Sequence, residues 1–348
     1  MSSKTPLSDA EAKLLSELNA GLPQDVDWKQ GALDYVANIL AQENGAAQRR
    51  FHLIKPFHSV YPETPINQQL TEFTREFSHC LNLLSILSVS SQTRFLDVAC
   101  GSGWLAHFLA KLNLTVVGID ISPQMIELAQ ERLALDQIAT VELDAFPHVG
   151  LYVHDIEQQP IDPGAQCDVA VLESALHHFV NPIQTLRNIA DSLSDDGVIV
   201  ILEAASDQQG DAYQAEIMER YDTLERPYSR EQLVKALNLA NLAEYQFFYP
   251  LNGFFPPVQS VADGVHYRIL NDHVWNTVIV AKQSGGLARN LKVEGLCPVV
   301  MNVTNAAKSS RSPVAVESTG EIGLKGELAI LRATAQRIVR KSIAKLKR

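Results

Sequence analysis

Residues Phe95 to Leu133 read FLDVACGSGWLAHFLAKLNLTVVGIDISPQMIELAQERL. In order, this is an apolar strand-like run, a glycine-containing turn, a helical pattern, a β-branched run ending in an acid, and a second helical pattern. Gly101 and Gly103 let the backbone turn tightly and approach a ligand where a Cβ would obstruct it. The helix that opens after the turn would face such a ligand with free N–H groups. Asp120, at the end of the second run, is placed to accept hydrogen bonds from a ribose diol. Ser122-Pro123 supplies the next helix with a capping side chain and a first-turn proline.

Working outward, the same alternation continues to about Lys282. Strand candidates are Phe95–Val98, Thr115–Ile119, Gly150–Val153, Val169–Leu172, Val198–Leu202, Glu244–Tyr249 and Thr277–Ala281. Strands alternating with helices point to a parallel sheet covered on both faces. Leu105, Phe108, Leu109 and Leu112 make one helical face. Asn181-Pro182 repeats the cap-and-proline device, Asp195-Asp196-Gly197 reads as a turn before the fifth strand, and Ser229 with Gln232 forms a capping box.

Four regions follow from this reading. Residues 1–66 form an N-terminal helical extension or lid, with helices from about Asp9 to Leu18 and from about Trp28 to Gln42. Residues 67–283 form the sheet domain, led by a helix over Leu70–Leu87 with Phe73, Phe77, Leu81 and Leu84 on one stripe. Residues 284–320, rich in Gly, Ser, Asn and Val, read as a linker. Residues 321–348 read as a basic amphipathic helix carrying 8 of the 29 basic and 2 of the 40 acidic residues.

Composition narrows the function classes. The chain has 348 residues, of which 46% are hydrophobic, and a net charge of −11. An acidic surface repels phosphate backbones, so nucleic acid is not expected as the main partner. No apolar run is long enough to span a bilayer, and no secretory signal is seen at the N-terminus. Cys80, Cys100, Cys167 and Cys297 are widely spaced, which fits reduced cytoplasmic thiols better than disulfides or a zinc site. No metal ligand set is expected.

The glycine turn alone is ambiguous. Gly101-Ser102-Gly103-Trp104-Leu105-Ala106 also fits the turn of nicotinamide and flavin enzymes. Asp97, inside the strand before the turn, argues otherwise. A carboxylate beside the cofactor would repel a pyrophosphate but suit an ammonium and a sulfonium.

Phe95-Leu96-Asp97-Val98-Ala99-Cys100-Gly101-Ser102-Gly103 resembles the first motif of the class I S-adenosylmethionine-dependent methyltransferases, with Ala99 in place of the first glycine. The resemblance implies a Rossmann-like α/β fold with a seven-stranded, mostly parallel sheet, a reversed last strand (Trp275–Lys282), N-terminal helices and a C-terminal helical tail. It implies S-adenosylmethionine as cofactor, held by Asp97, Ala99, Gly101, Gly103, Asp120, Ile121, Asp155, Ile156 and Glu173. Plainer roles stand beside these: Asp97 as a cap for the next turn, Asp155 and Glu173 as solvated acids, and Cys100 as a small filler.

His177 and His178 follow the fourth strand, where the family's active-site cleft opens. Methyl transfer to a hydroxyl requires loss of its proton, and histidine suits that task. Both are candidate catalytic residues, His178 ahead of His177, with packing as the alternative for either. Tyr213, Tyr221, Tyr228, Phe247, Phe248, Phe254 and Phe255 offer aromatic surface for a lid or acceptor pocket. The stretch Arg50 to Phe57, with Ala175 to Phe179, is similar to bacterial methyltransferases linked to sugar and glycan modification.

The expected function is therefore methylation of a small molecule or glycan-type acceptor, with oxygen as the expected methyl acceptor. The rivals are a nucleotide-dependent oxidoreductase and a non-catalytic S-adenosylmethionine-binding protein that recruits a partner through its basic tail. That tail is also suited to an anionic membrane surface or an acidic partner.

Overall fold

A computed structural model describes residues 7–56, 86–138, 149–162, 166–204, 212–248 and 275–291. Most of the expected Leu70–Leu87 helix, Phe254, Phe255, most of the linker and the whole basic tail lie outside the described residues.

Seven strands form one sheet: β1 (Arg94–Val98), β2 (Thr115–Asp120), β3 (Val149–Val153), β4 (Cys167–Glu173), β5 (Leu193–Ala204), β6 (Glu244–Phe248) and β7 (Trp275–Ala281). Their order is β3-β2-β1-β4-β5-β7-β6. β1 to β5 pair in parallel, whereas β7 runs antiparallel to both β5 and β6. This is the class I methyltransferase arrangement, with the last strand in sequence reversed and inserted beside the fifth.

The helices are α1 (Asp9–Leu18), α2 (Trp28–Leu40), α3 (Gly45–Ile54), α4 (Trp104–Lys111), α5 (Pro123–Leu135), α6 (Pro182–Asp191), α7 (Ala212–Tyr221), α8 (Arg230–Leu239) and the short α9 (Gly286–Asn290). The expected caps form. Ser122, Asn181 and Ser229 each accept a first-turn N–H, and Ser229 with Gln232 closes a full capping box. Such a cap stabilises a helix by about 1 kcal/mol. The sequence reading missed α3, whose Asn44 cap position makes no side-chain hydrogen bond.

Alternate residues along each strand feed two apolar layers, as the period-two geometry of a strand requires. Leu96, Val98, Val117, Ile119, Ala170, Leu172, Ile199 and Ile201 face α1, α6 and α8. Phe95, Val116, Val169, Val171, Val198 and Val200 face the other way, towards Leu105 and Leu109 of α4 and Leu133 of α5. Leu14 and Leu18 of α1 belong to the first layer, so this N-terminal helix shares the core of the sheet.

Two local expectations are corrected. Asp195-Asp196-Gly197 does not precede the fifth strand; β5 already begins at Leu193. Cys167 pairs with Leu193 and Val169 with Val198, so β5 carries extra residues there and bulges out of the ladder. The turn chemistry is real, but it serves a bulge. Leu112 does not share the buried face of α4; it is 47% exposed, because it sits just past the helix end.

Candidate functional site

The carboxyl ends of β1, β2 and β4 border a cavity of about 240 Å³. In open parallel sheets this is where ligands bind. Ala99, Gly101, Asp120, Ile121, Asp155, Ile156, Glu173 and His178 all line it, so the structure brings most of the sequence candidates together. Asp97, Gly103 and His177 are not among its lining residues.

The glycine turn explains the split. Ala99, Gly101 and Gly103 all adopt left-handed backbone, with φ of 53°, 53° and 71°. Ala99 bears that conformation at a steric cost that glycine would avoid. A Cβ on Gly101 would meet nothing within 4 Å, whereas one on Gly103 would strike the Ala129 Cβ at 2.8 Å. Gly101 therefore leaves open space at the cavity, while Gly103 lets α4 pack against α5.

Asp97 is 4% exposed and accepts the Ala106 N–H at 3.1 Å. It takes the plainer role among those expected, capping the start of α4 from beneath the turn, and does not line the cavity. Burial, with the charges of Glu173 and Asp120 adding to it, pushes its pKa up to about 8. Asp120 braces the turn itself. Its Oδ2 accepts the Gly101 N–H at 2.9 Å and its Oδ1 the Ser122 N–H at 2.8 Å. Burial raises its pKa to about 6. Asp155 is ion-paired with Lys29 of α2 and accepts the Glu157 N–H at 3.2 Å. Glu173 accepts the Ser174 hydroxyl at 3.2 Å.

One wall of the cavity comes from the N-terminal extension expected as a lid, although its individual residues were not read from the sequence. Lys29, Tyr35, Val36, Phe51, His52 and Lys55 reach it from α2, α3 and the residue after α3. The Ser102 hydroxyl donates to the His52 carbonyl at 2.6 Å, and Arg132 of α5 donates to the same oxygen at 2.8 Å and also to the Lys55 carbonyl. Glycine turn, α3 and α5 are thus pinned at one point. The His52 Nε2 is buried without a hydrogen-bond partner, and burial lowers its pKa to about 4. The long, polar arginine on the otherwise apolar face made by Ile126, Leu128, Ala129 and Leu133 was the available signal. Of the expected aromatic surface, Tyr228 is fully buried and bonds the Leu176 carbonyl, and Tyr221 packs edge-on against Tyr35. Both serve the core because their hydroxyls find partners there.

The histidines sit in a single 3₁₀ turn, Leu176–His178, after β4. The His177 Nδ1 bonds Glu203, and its Nε2 lies 3.3 Å from Glu225 Oε2. Burial would lower the His177 pKa, but the charges of and bonds to Glu203 and Glu225 outweigh it and raise it to about 10. The His178 Nδ1 meets the Leu224 carbonyl at 2.7 Å. A carbonyl only accepts, so that nitrogen carries the proton and Nε2 holds the lone pair. Burial, then the neighbouring His177 charge, hold the His178 pKa down.

These features fit S-adenosylmethionine. The open space over Gly101 admits a ligand against the backbone. Asp120 and Glu173 lie close enough to Asp97 to raise its proton affinity, and a sulfonium and an ammonium would relieve that repulsion.

Fold and site together define a class I methyltransferase domain. The model of the methyltransferase domain family matches residues 62–246, more than half of the chain, and the chain belongs to that S-adenosylmethionine-dependent family. The ubiquinone/menaquinone biosynthesis C-methyltransferase UbiE of Citrifermentans bemidjiense is 32% identical over 123 residues, covering 34% of this chain and 48% of that protein. The mitochondrial ubiquinone biosynthesis O-methyltransferase of Schizosaccharomyces pombe is 27% identical over 111 residues, covering 32% and 38%. The non-reducing polyketide synthase dbaI of Emericella nidulans is 28% identical over 153 residues, covering 41% of this chain and 5% of that protein. The chain thus spans less than half the length of these relatives. Among solved structures, YcgJ from Bacillus subtilis covers 60% of this chain and 100% of its own, at 17% identity and a TM-score of 0.43.

Proposed function

We propose that this chain transfers a methyl group from S-adenosylmethionine to a hydroxyl of a small-molecule or glycan-type acceptor. The observation that carries the reading is one cavity bordered by both the acid-rich glycine turn and His178. The bound cofactor supplies a methyl group on a sulfonium centre. Asp120 and Asp155 hold its sugar and adenine ends, Ile121 and Ile156 flank the ring, and Glu173 favours its positive charge. Gly101 and Ala99 shape the turn against it, while Asp97 and Gly103 act from beneath by fixing the turn. His178 takes the acceptor proton at Nε2, and Glu225, whose Oε1 is 3.7 Å from the His178 Nδ1, steadies the imidazolium that results. His177, held by Glu203, positions His178, the two ring centroids being 4.0 Å apart.

A carbon acceptor is the second reading, favoured by the 32% identity to a C-methyltransferase; it too needs a base. Nicotinamide cofactors are disfavoured by the carboxylates, which would repel a pyrophosphate. Among the described residues no helix is long and apolar enough to cross a membrane. Cys100 and Cys167 are buried free thiols, which supports a cytoplasmic location. The basic segment 321–348 remains a proposed contact for a membrane surface or an acidic partner.

The test is calorimetric titration with S-adenosylmethionine, S-adenosylhomocysteine and reduced nicotinamide cofactors. A mass-spectrometric screen of metabolite extracts for a gain of one methyl group then follows. Binding of the nicotinamide alone would sink the reading. With an acceptor in hand, His178→Ala should lose about 10²–10⁴-fold in turnover while keeping cofactor affinity.

A further inference from the structure

The histidine cluster has a geometry that proton removal does not use. Each imidazole hydrogen-bonds through its Nδ1, His177 to the Glu203 carboxylate and His178 to the Leu224 carbonyl, with the His178 Nδ1 also 3.7 Å from Glu225 Oε1. Glu203 is fully buried and also accepts the Leu176 N–H at 2.8 Å, so it is fixed in place. Metal-ligating histidines are held in this way, with one ring nitrogen donating to a carboxylate or backbone carbonyl and the other left for the ion.

Glu225 completes the set. One ligand atom from each of His177, His178 and Glu225 can be chosen so that all lie within 4.8 Å of one another. The 3.3 Å between His177 Nε2 and Glu225 Oε2 is about the separation of two ligands on a tetrahedral ion with bonds of about 2.0–2.1 Å. Charge points the same way. Glu203 and Glu225 bring two carboxylates to a largely buried place; one proton on the imidazoles offsets one charge, and a divalent cation would offset both.

We propose that His177, His178 and Glu225 bind one divalent transition-metal ion, with zinc the best match to two imidazoles and a carboxylate. Binding replaces the proton shared by His177 Nε2 and Glu225, which leaves to solvent. His178 lines the cavity, so a further coordination position opens onto it. Because the Nδ1 proton leaves His178 only one lone pair, the ion and the acceptor's proton compete for it. Zinc is therefore an inhibitor of methyl transfer. This second half rests on the proposed role of His178 as base; occupancy of the site does not.

The experiment is titration of chelator-stripped full-length protein with zinc chloride, without acceptor, followed by calorimetry. One equivalent should bind, and His177→Ala and Glu225→Gln should each weaken it at least tenfold. His107→Ala, at a separate pair where the His107 Nε2 lies 2.9 Å from Asp136 Oδ2, should leave it unchanged. Cobalt chloride should give the visible absorption of a four-coordinate ion, lost in Glu225→Gln, which is near-isosteric and guards against unfolding as the cause. No binding, or equal binding by the cluster variants, overturns the site. If zinc binds as expected but leaves turnover unchanged, the competition is overturned. If instead His178→Ala retains full turnover in chelator, the base reading falls while the metal site stands.

Discussion

The carboxylate of Asp120 accepts the Gly101 N–H at 2.9 Å, tying the end of β2 to the turn that follows β1. The same side chain holds the Ser122 N–H at the start of α5, so one acid fixes both backbone segments that border the cofactor end of the cavity. Asp120→Ala should therefore do two things. Cofactor affinity should fall at least about tenfold, since charge-assisted hydrogen bonds contribute about 1.5–3 kcal/mol. Stability should fall as well, by about 1–3 kcal/mol, because two buried N–H groups lose their acceptor. Calorimetry and urea unfolding separate the effects. Unchanged affinity would remove Asp120 from the site.

Asp97 should behave differently. Its folded pKa, about 8, lies above the ordinary 3.8, so the folded chain holds that proton more tightly than the unfolded one. The stability it contributes is complete below about pH 4 and is lost as pH rises through about 8. Asp97→Asn keeps an oxygen to accept the Ala106 N–H and cannot ionise. It should be more stable than the parent at pH 9, by roughly 1 kcal/mol or more, with the difference shrinking as pH falls and gone below about pH 4. An equal pH profile for both proteins would show that the carboxyl is not held protonated.

The same group predicts a proton signal on binding. At pH 7 Asp97 is mostly protonated, and a sulfonium lodged near Asp97, Asp120 and Glu173 lowers its pKa. Cofactor binding should release up to about one proton, read as a dependence of the binding enthalpy on the ionisation enthalpy of the buffer. The product, which has lost the sulfonium charge, should release less. Equal release for both ligands would place the sulfonium away from these acids.

Arg132 predicts how the N-terminal helices stay docked. It is 3% exposed and donates to the carbonyls of His52 and Lys55. Arg132→Ala should cost at least about 1.5–3 kcal/mol and speed proteolysis within α3. Acid should loosen the same place. His52 titrates at about 4 when folded against 6.5 when unfolded, so its contribution is lost as pH falls from about 6.5 towards 4. His52→Gln should flatten that acid limb. Cleavage rates independent of pH in the parent would overturn this account.

The sheet was legible because its signal is local. Parallel strands buried on both faces write themselves as apolar runs, and caps such as Ser122 and Asn181 mark the helix starts. Asp120, Asp155 and His178 were legible for the same reason, each falling at a strand end or just beyond one. What escaped depends on distance along the chain. Arg132 and His52 meet across 80 residues, and Glu225 approaches His177 from a loop that no spacing rule links to it. The choice between the two roles read for Asp97 was not legible, because sequence gives a residue's strand but not the depth of its side chain beneath the turn.

The part of the chain matched by the family model begins at residue 62, whereas Lys29, Tyr35, Phe51, His52 and Lys55 wall the cavity from before it. The matched residues thus include the turn and strand ends at the donor end of the cavity, while this wall comes from residues that precede them. Because Lys29 pairs with Asp155 and the His52 carbonyl holds Ser102 of the glycine turn, a change in α2 or α3 would be felt at both ends of the cavity at once.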